Sequence, residues 1–106
     1  MAEWGKLKQL ETLDADFISV RSLFLSGSIT KMYQLIKQSP TKIAKLLGLN
    51  YSSYHSKLVD PEKFTEFHVN LLAYAIQIDP AIIHEIIQKE IQEKVEMRYK
   101  NIEDKL

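Results

Sequence analysis

The side chains best suited to chemistry lie in one stretch, residues 39–58. It opens with Ser39-Pro40, carries Thr41, Lys42 and Lys45, and turns at Gly48-Leu49. It resumes at Asn50 with Tyr51, Ser52, His55, Ser56 and Lys57. Hydroxyls, phenols, an imidazole and ammonium groups on a basic stretch suit a polyanion. Serine accepts a bond from the free N–H groups at a helix start, and proline fits the first helical position. A helix start aimed at a phosphate is an anion site. Ser39 with the backbone N–H groups of Thr41 and Lys42 therefore makes one candidate phosphate contact. Lys42 and Lys45 add charge that releases counterions from a nucleic acid. Tyr51, Ser52, His55 and Ser56 are candidates to reach base edges, although a serine hydroxyl pairs with any base. Lys57 is the only basic residue of that second segment. Thr65, with Lys63 beside it, offers a further phosphate contact at a later helix start.

Two short helices must position these groups. The first, from Pro40, carries Ile43, Ala44, Leu46 and Leu47 and stops at Gly48. The second, residues 51–58, starts behind the Asn50 cap. Ala44 is small where the helices approach, Gly48 permits the tight turn and Leu49 plugs the corner. Tyr54 and Leu58 tie the second helix to the core and leave Tyr51, Ser52, His55 and Ser56 facing out. This pattern is a helix-turn-helix.

The rest of the chain is helix with punctuation. Leu7, Leu10, Leu13, Phe17, Val20 and Phe24 recur at three or four residues, which predicts a helix over about 6–25. Residues 17–25 also read as a short strand. Ser26-Gly27-Ser28 ends that element, and a short helix follows over 29–36. Residues 64–78 form another helix, and Asp79-Pro80 caps the last, which runs to about 101. Its apolar positions are Ile83, Ile87, Ile91, Val95, Tyr99, Ile102 and Leu106. Their mean spacing, near 3.8, exceeds the ~3.5 of a left-handed coiled coil and predicts a packed helix or a helical dimer contact.

The segment resembles the phage-repressor-like (Cro/XRE-type) helix-turn-helix family. Ile43-Ala44, Leu47-Gly48-Leu49 and Asn50 stand where that family has its Leu-Ala, Leu-Gly-Ile and cap residue. The likeness extends over residues 29–87. The run Gly48 to Tyr51, with Asp60-Pro61 through Thr65, is also similar to small bacterial regulator-type proteins. The resemblance implies a five-helix, lambda-repressor-like domain whose second motif helix enters the major groove.

Composition bounds the alternatives. The chain has 106 residues, 14 Lys+Arg, 14 Asp+Glu and no Cys. The absent cysteines exclude a disulfide framework, an iron–sulfur cluster and a thiolate zinc site. Zero net charge hides an asymmetry: residues 29–78 carry six lysines against three acids, and both flanks are net acidic. His55, His68 and His84 have no metal spacing, and His84-Glu85 lacks the second histidine of a metalloprotease helix. Glu90–Lys94 and Glu96–Lys100 sit at salt-bridge spacing. No Gly-rich phosphate loop or nucleophile elbow occurs, so no enzyme, cofactor, metal or small-molecule substrate is expected. The start of the sequence shows no export signal and no apolar run spans a bilayer, so a cytoplasmic protein is expected.

These readings combine into an all-α protein. Residues 1–28 form a helical extension, 29–87 the helix-turn-helix domain and 88–106 a C-terminal helix extension. The expected function is a transcriptional regulator that binds double-stranded DNA as a homodimer. The stripe from Ile83 to Leu106, or the helix carrying Leu7 to Phe24, supplies the dimer surface. The alternative is a helical protein–protein interaction module, antitoxin-like or a phage adaptor, on a helix-turn-helix scaffold that no longer binds DNA. The arginine-free, serine-rich second helix and zero net charge favour it.

Overall fold

Local capping accounts for most of the helix boundaries. The computed structural model describes residues 13–105. Among them are five α-helices and two 3-10 helices, and no strand. Helix α1 spans Ala15–Leu25, α2 Pro40–Leu46, α3 Tyr51–Val59, α4 Glu66–Ile76 and α5 Pro80–Glu103. The 3-10 helices are Met32–Lys37 and Pro61–Lys63. No helix of the described residues is long and apolar enough to cross a membrane.

Residues 15–25 are helix rather than strand, but the helix is shorter than its periodicity predicts. Leu13 and Asp14 are not helical. The Asp14 carboxylate accepts from the Asp16 N–H, and this cap starts α1 at Ala15. The expected helical residues 6–12 lie outside the described residues. Val20 and Phe24 are buried in the same core as the later helices. Arg21 Nε donates to the Gln77 carbonyl at 3.3 Å and ties α1 to the end of α4.

The short helix predicted over 29–36 is instead the 3-10 helix Met32–Lys37. The Gln34 side chain takes the Thr30 and Lys31 N–H groups at 2.7 and 3.1 Å. The Glu90 carboxylate takes the Met32 N–H at 2.8 Å. With these donors satisfied by side chains, the segment takes three residues per turn and buries Met32 and Leu35. The Glu90–Met32 bond also changes the ion pairing expected along α5. Glu90 caps Met32 rather than pairing with Lys94, whose ammonium reaches Asp60 and Glu62 at 2.8 and 3.0 Å. Glu96 accepts from Gln92, at 3.1 Å, and forms no ion pair with Lys100 among the described residues.

The core gathers Ile43, Ala44 and Leu47 from the α2 region, Tyr54 and Leu58 from α3, Leu72 and Ile76 from α4, and Ile83 and Ile87 from α5. α4 is closed at its start by a reciprocal capping box. The His68 N–H donates to Thr65 Oγ1 and the Thr65 N–H to His68 Nδ1, at 3.1 and 3.3 Å. Burial, with Lys57 nearby, holds the His68 imidazole below its ordinary value of 6.5. The unfolded chain takes the proton first as pH falls, so this group costs stability as pH drops below its ordinary value. Protonated Nδ1 also loses its acceptor role. His68→Gln keeps the box with a neutral acceptor. We expect its unfolding midpoint to fall less than the wild type's in acid, measured by urea denaturation at pH 7 and pH 5. Parallel losses would place the acid sensitivity elsewhere.

Candidate nucleic-acid interface

The turn between α2 and α3 is built on one glycine. Gly48 has φ +73°. Its N–H donates to the Lys45 carbonyl, and the Leu49 N–H donates to the Ala44 carbonyl at 2.9 Å, so two of the last carbonyls of α2 are satisfied by the turn. A Cβ at Gly48 meets nothing within 4 Å, so the backbone conformation alone demands glycine. A side chain here costs about 1–2 kcal/mol, and a β-branched one more. Gly48→Val is therefore expected to lower the urea midpoint clearly; an unchanged midpoint would show that the turn tolerates another conformation. Leu49 is half-buried against the core. Asn50 then accepts from the Ser53 N–H at 2.7 Å and starts α3.

Helix α3 divides as its spacing predicts except at Ser56, which is expected to face out and is half-buried. Tyr54 and Leu58 are fully buried, while Tyr51 and Ser52 are exposed and His55 is half-buried. The Tyr51 and His55 rings stack with centroids 6.3 Å apart. On its other side His55 meets Tyr33 edge-on, with Nε2 3.4 Å from the phenol oxygen. Tyr33, His55 and Tyr51 thus form one aromatic patch across α3 and the 3-10 helix. Tyr33 was hidden in the sequence, where it reads as part of the apolar side of a short helix. At three residues per turn Met32 and Leu35 take the core, and Tyr33, about 120° round, is turned out.

The basic residues are less free than their positions suggest. Lys42 is held by Asp14 and Asp16 at 2.8 and 2.9 Å, and its ammonium lies 5.9 Å from the centre of the Phe17 ring. These hydrogen bonds raise the Lys42 ammonium and lower the Asp14 carboxyl from their ordinary values. Lys57 donates to the Lys63 carbonyl at 3.1 Å, and Lys63 reaches Ser56 Oγ and Asp60 at 3.4 and 3.5 Å. Ser56 and Lys57 are half-buried and committed to the turn after α3. Lys37 and Lys45 are exposed and form no ion pair among the described residues. Lys37 belongs to the six lysines of the basic stretch but is not singled out by the sequence as a phosphate contact.

The two helix-start contacts also differ from expectation. Ser39 adopts a left-handed conformation, φ 46°, and its hydroxyl makes no capping bond. A capping serine needs extended backbone to aim its oxygen at the next N–H groups. Here only the Ser39 carbonyl contributes, accepting from Ile43 N at 3.0 Å. Thr41 is exposed in the first turn of α2. The Thr65 oxygen is engaged by His68 in the capping box.

Compared with family models, curated proteins and solved structures, the chain matches none. The functional reading therefore rests on the geometry of this surface. Its open part is Tyr51, Ser52 and His55 with Tyr33, and Lys37 and Lys45 are exposed on the two elements that pack against α3.

Proposed function

We propose that the protein is a DNA-binding transcriptional regulator of lambda-repressor-like type, with α3 entering the major groove, acting as a dimer. The observation that carries this reading is the α2–Gly48–α3 unit. It presents the outer face of a second, independently capped helix with hydrogen-bonding side chains, on the basic part of the chain. Major-groove readers use this arrangement, with base contacts from the start of the second helix and backbone contacts from the first. Tyr51, Ser52 and His55 are the base-reading side chains, and Lys37, Lys45 and Thr41 contact phosphates. Lys42 joins them on release from Asp14 and Asp16. The test is fluorescence anisotropy of a labelled duplex pool titrated with protein at several salt concentrations.

A second reading has its own observation. Two carboxylates already neutralise Lys42, the base best placed at the start of α2. A helical protein–protein module using the Tyr33–His55–Tyr51 patch fits that neutralised surface. Duplex binding that does not respond to salt, or no binding, favours this reading over the first.

A further inference from the structure

The apolar stripe of α5 is two stripes joined end to end. Ile83, Ile87 and Ile91 follow steps of four, and the first two are buried in the core. Beyond Ile91 every residue of the helix is exposed. Glu93 and Lys94 still reach Lys31, Asp60 and Glu62, so the part that projects is residues 95–103, about 13 Å at ~1.5 Å per residue. It accounts for the long dimension of a molecule measuring 56 × 28 × 24 Å. Val95, Tyr99 and Ile102 remain 54%, 60% and 41% exposed.

Gln92, Val95, Tyr99, Ile102 and the sequence position of Leu106 follow steps of three and four, the coiled-coil repeat. Averaging along the whole helix hides this change of period. Glu96 and Glu103 then line one edge of the stripe, and Arg98 and Lys105 the other. Opposite charges on the two edges select an orientation. In a parallel pair related by a two-fold along the helices, each edge faces the opposite edge of the partner. Arg98 then meets Glu103 of the second copy, five residues on. An antiparallel pair would set each edge against its like. Among the described residues Arg98 and Glu103 form no ion pair within the chain. Ile83, Ile87, Glu90 and Lys94, which fasten α5 to the core, lie roughly 130° round the helix from the stripe at about 100° per residue; Ile91, about 60° from it, is the last residue packed on the core, so the stripe is clear from Val95 onward.

We propose that the projecting end of α5 pairs in parallel with the same segment of a second copy of this chain, in a register set by Arg98 and Glu103. Two heptads bury far less than the ~1,600 Å² of a standard interface, and the polar Gln92 at a core position weakens them further. The dimer is therefore reversible and forms at tens to hundreds of micromolar. It places both α3 helices at the same end of the assembly. This deepens the dimeric part of the proposed function, and it is measured without nucleic acid, so failure to bind DNA leaves it standing.

The test is sedimentation equilibrium of the full chain. Wild type should show a monomer–dimer equilibrium in that range. Arg98→Glu alone and Glu103→Arg alone should each shift it to monomer, because each homodimer then opposes like charges. An equimolar mixture of the two variants should restore the dimer, through the attractive pairs it allows. Circular dichroism confirms that these exposed changes leave the fold intact. A wild type that stays monomeric at hundreds of micromolar overturns the proposal. Single variants that dimerise like wild type, or a mixture that stays monomeric, overturn the parallel register.

Discussion

Leu58→Ala is expected to remove about 2–5 kcal/mol of stability, a large share of the ~5–15 kcal/mol available to a domain of this size. Leu58 has no exposed surface, and it sits on α3, the helix that packs on both the 3-10 helix Met32–Lys37 and α2. Truncation removes apolar atoms from the core and leaves a cavity that rigid neighbours fill only in part. The neighbouring Tyr54 supplies the contrast. It is fully buried, and its hydroxyl has no hydrogen-bond partner among the described residues. Burial accordingly pushes that phenol up from its ordinary value. An unmade bond on a buried polar group costs about 1–3 kcal/mol, so Tyr54→Phe keeps the packing and relieves that cost. The pair should move in opposite directions in urea or thermal unfolding. A destabilised Tyr54→Phe would show that the hydroxyl is bonded in solution.

The second large effect concerns the DNA face. Lys45→Ala and Lys37→Ala should each weaken binding to every duplex by a similar factor and lower the salt slope by about one. Tyr51→Ala and His55→Ala should instead relax sequence preference, at about 1–3 kcal/mol for each base that is no longer read. Lys42→Ala should cost less than Lys45→Ala, because the Lys42 ammonium must first leave Asp14 and Asp16. The variant with Asp14→Asn and Asp16→Asn frees that ammonium and should bind more tightly at low salt. Equal effects from the lysine and the aromatic variants would contradict the assigned docking. The measurement is anisotropy against a preferred and an unrelated duplex across a salt series.

Where local chemistry decides, the sequence was legible. Asn50 caps α3, Asp79 caps α5, Gly27 and Gly48 take positive φ, and Tyr54 and Leu58 turn inward, each from its own residue type and spacing. Where tertiary contacts decide, it was not. Ser39 has the residue type of a cap, yet its backbone takes a left-handed conformation that its type does not announce. Glu90 is spaced to pair with Lys94 but is drawn to a free N–H 58 residues away in sequence. That bond helps make Met32–Lys37 a 3-10 helix and so brings Tyr33 beside His55. Lys42 reads as a free base because its two acids arrive from the start of α1, 28 and 26 residues earlier. The change of period in α5 was present in the sequence. It became visible once the structure marked Ile87 and Ile91 as the end of the core.

Binding of duplex DNA by the face of α3 is tested most directly by the anisotropy of a pooled random duplex against salt, on protein shown by circular dichroism to be folded. Micromolar or tighter binding is expected at low salt, falling steeply as salt rises, as phosphate neutralisation requires. A folded protein that leaves the duplex free even at low salt would contradict it, and the Tyr33–His55–Tyr51 patch would then be read as a surface for a protein partner.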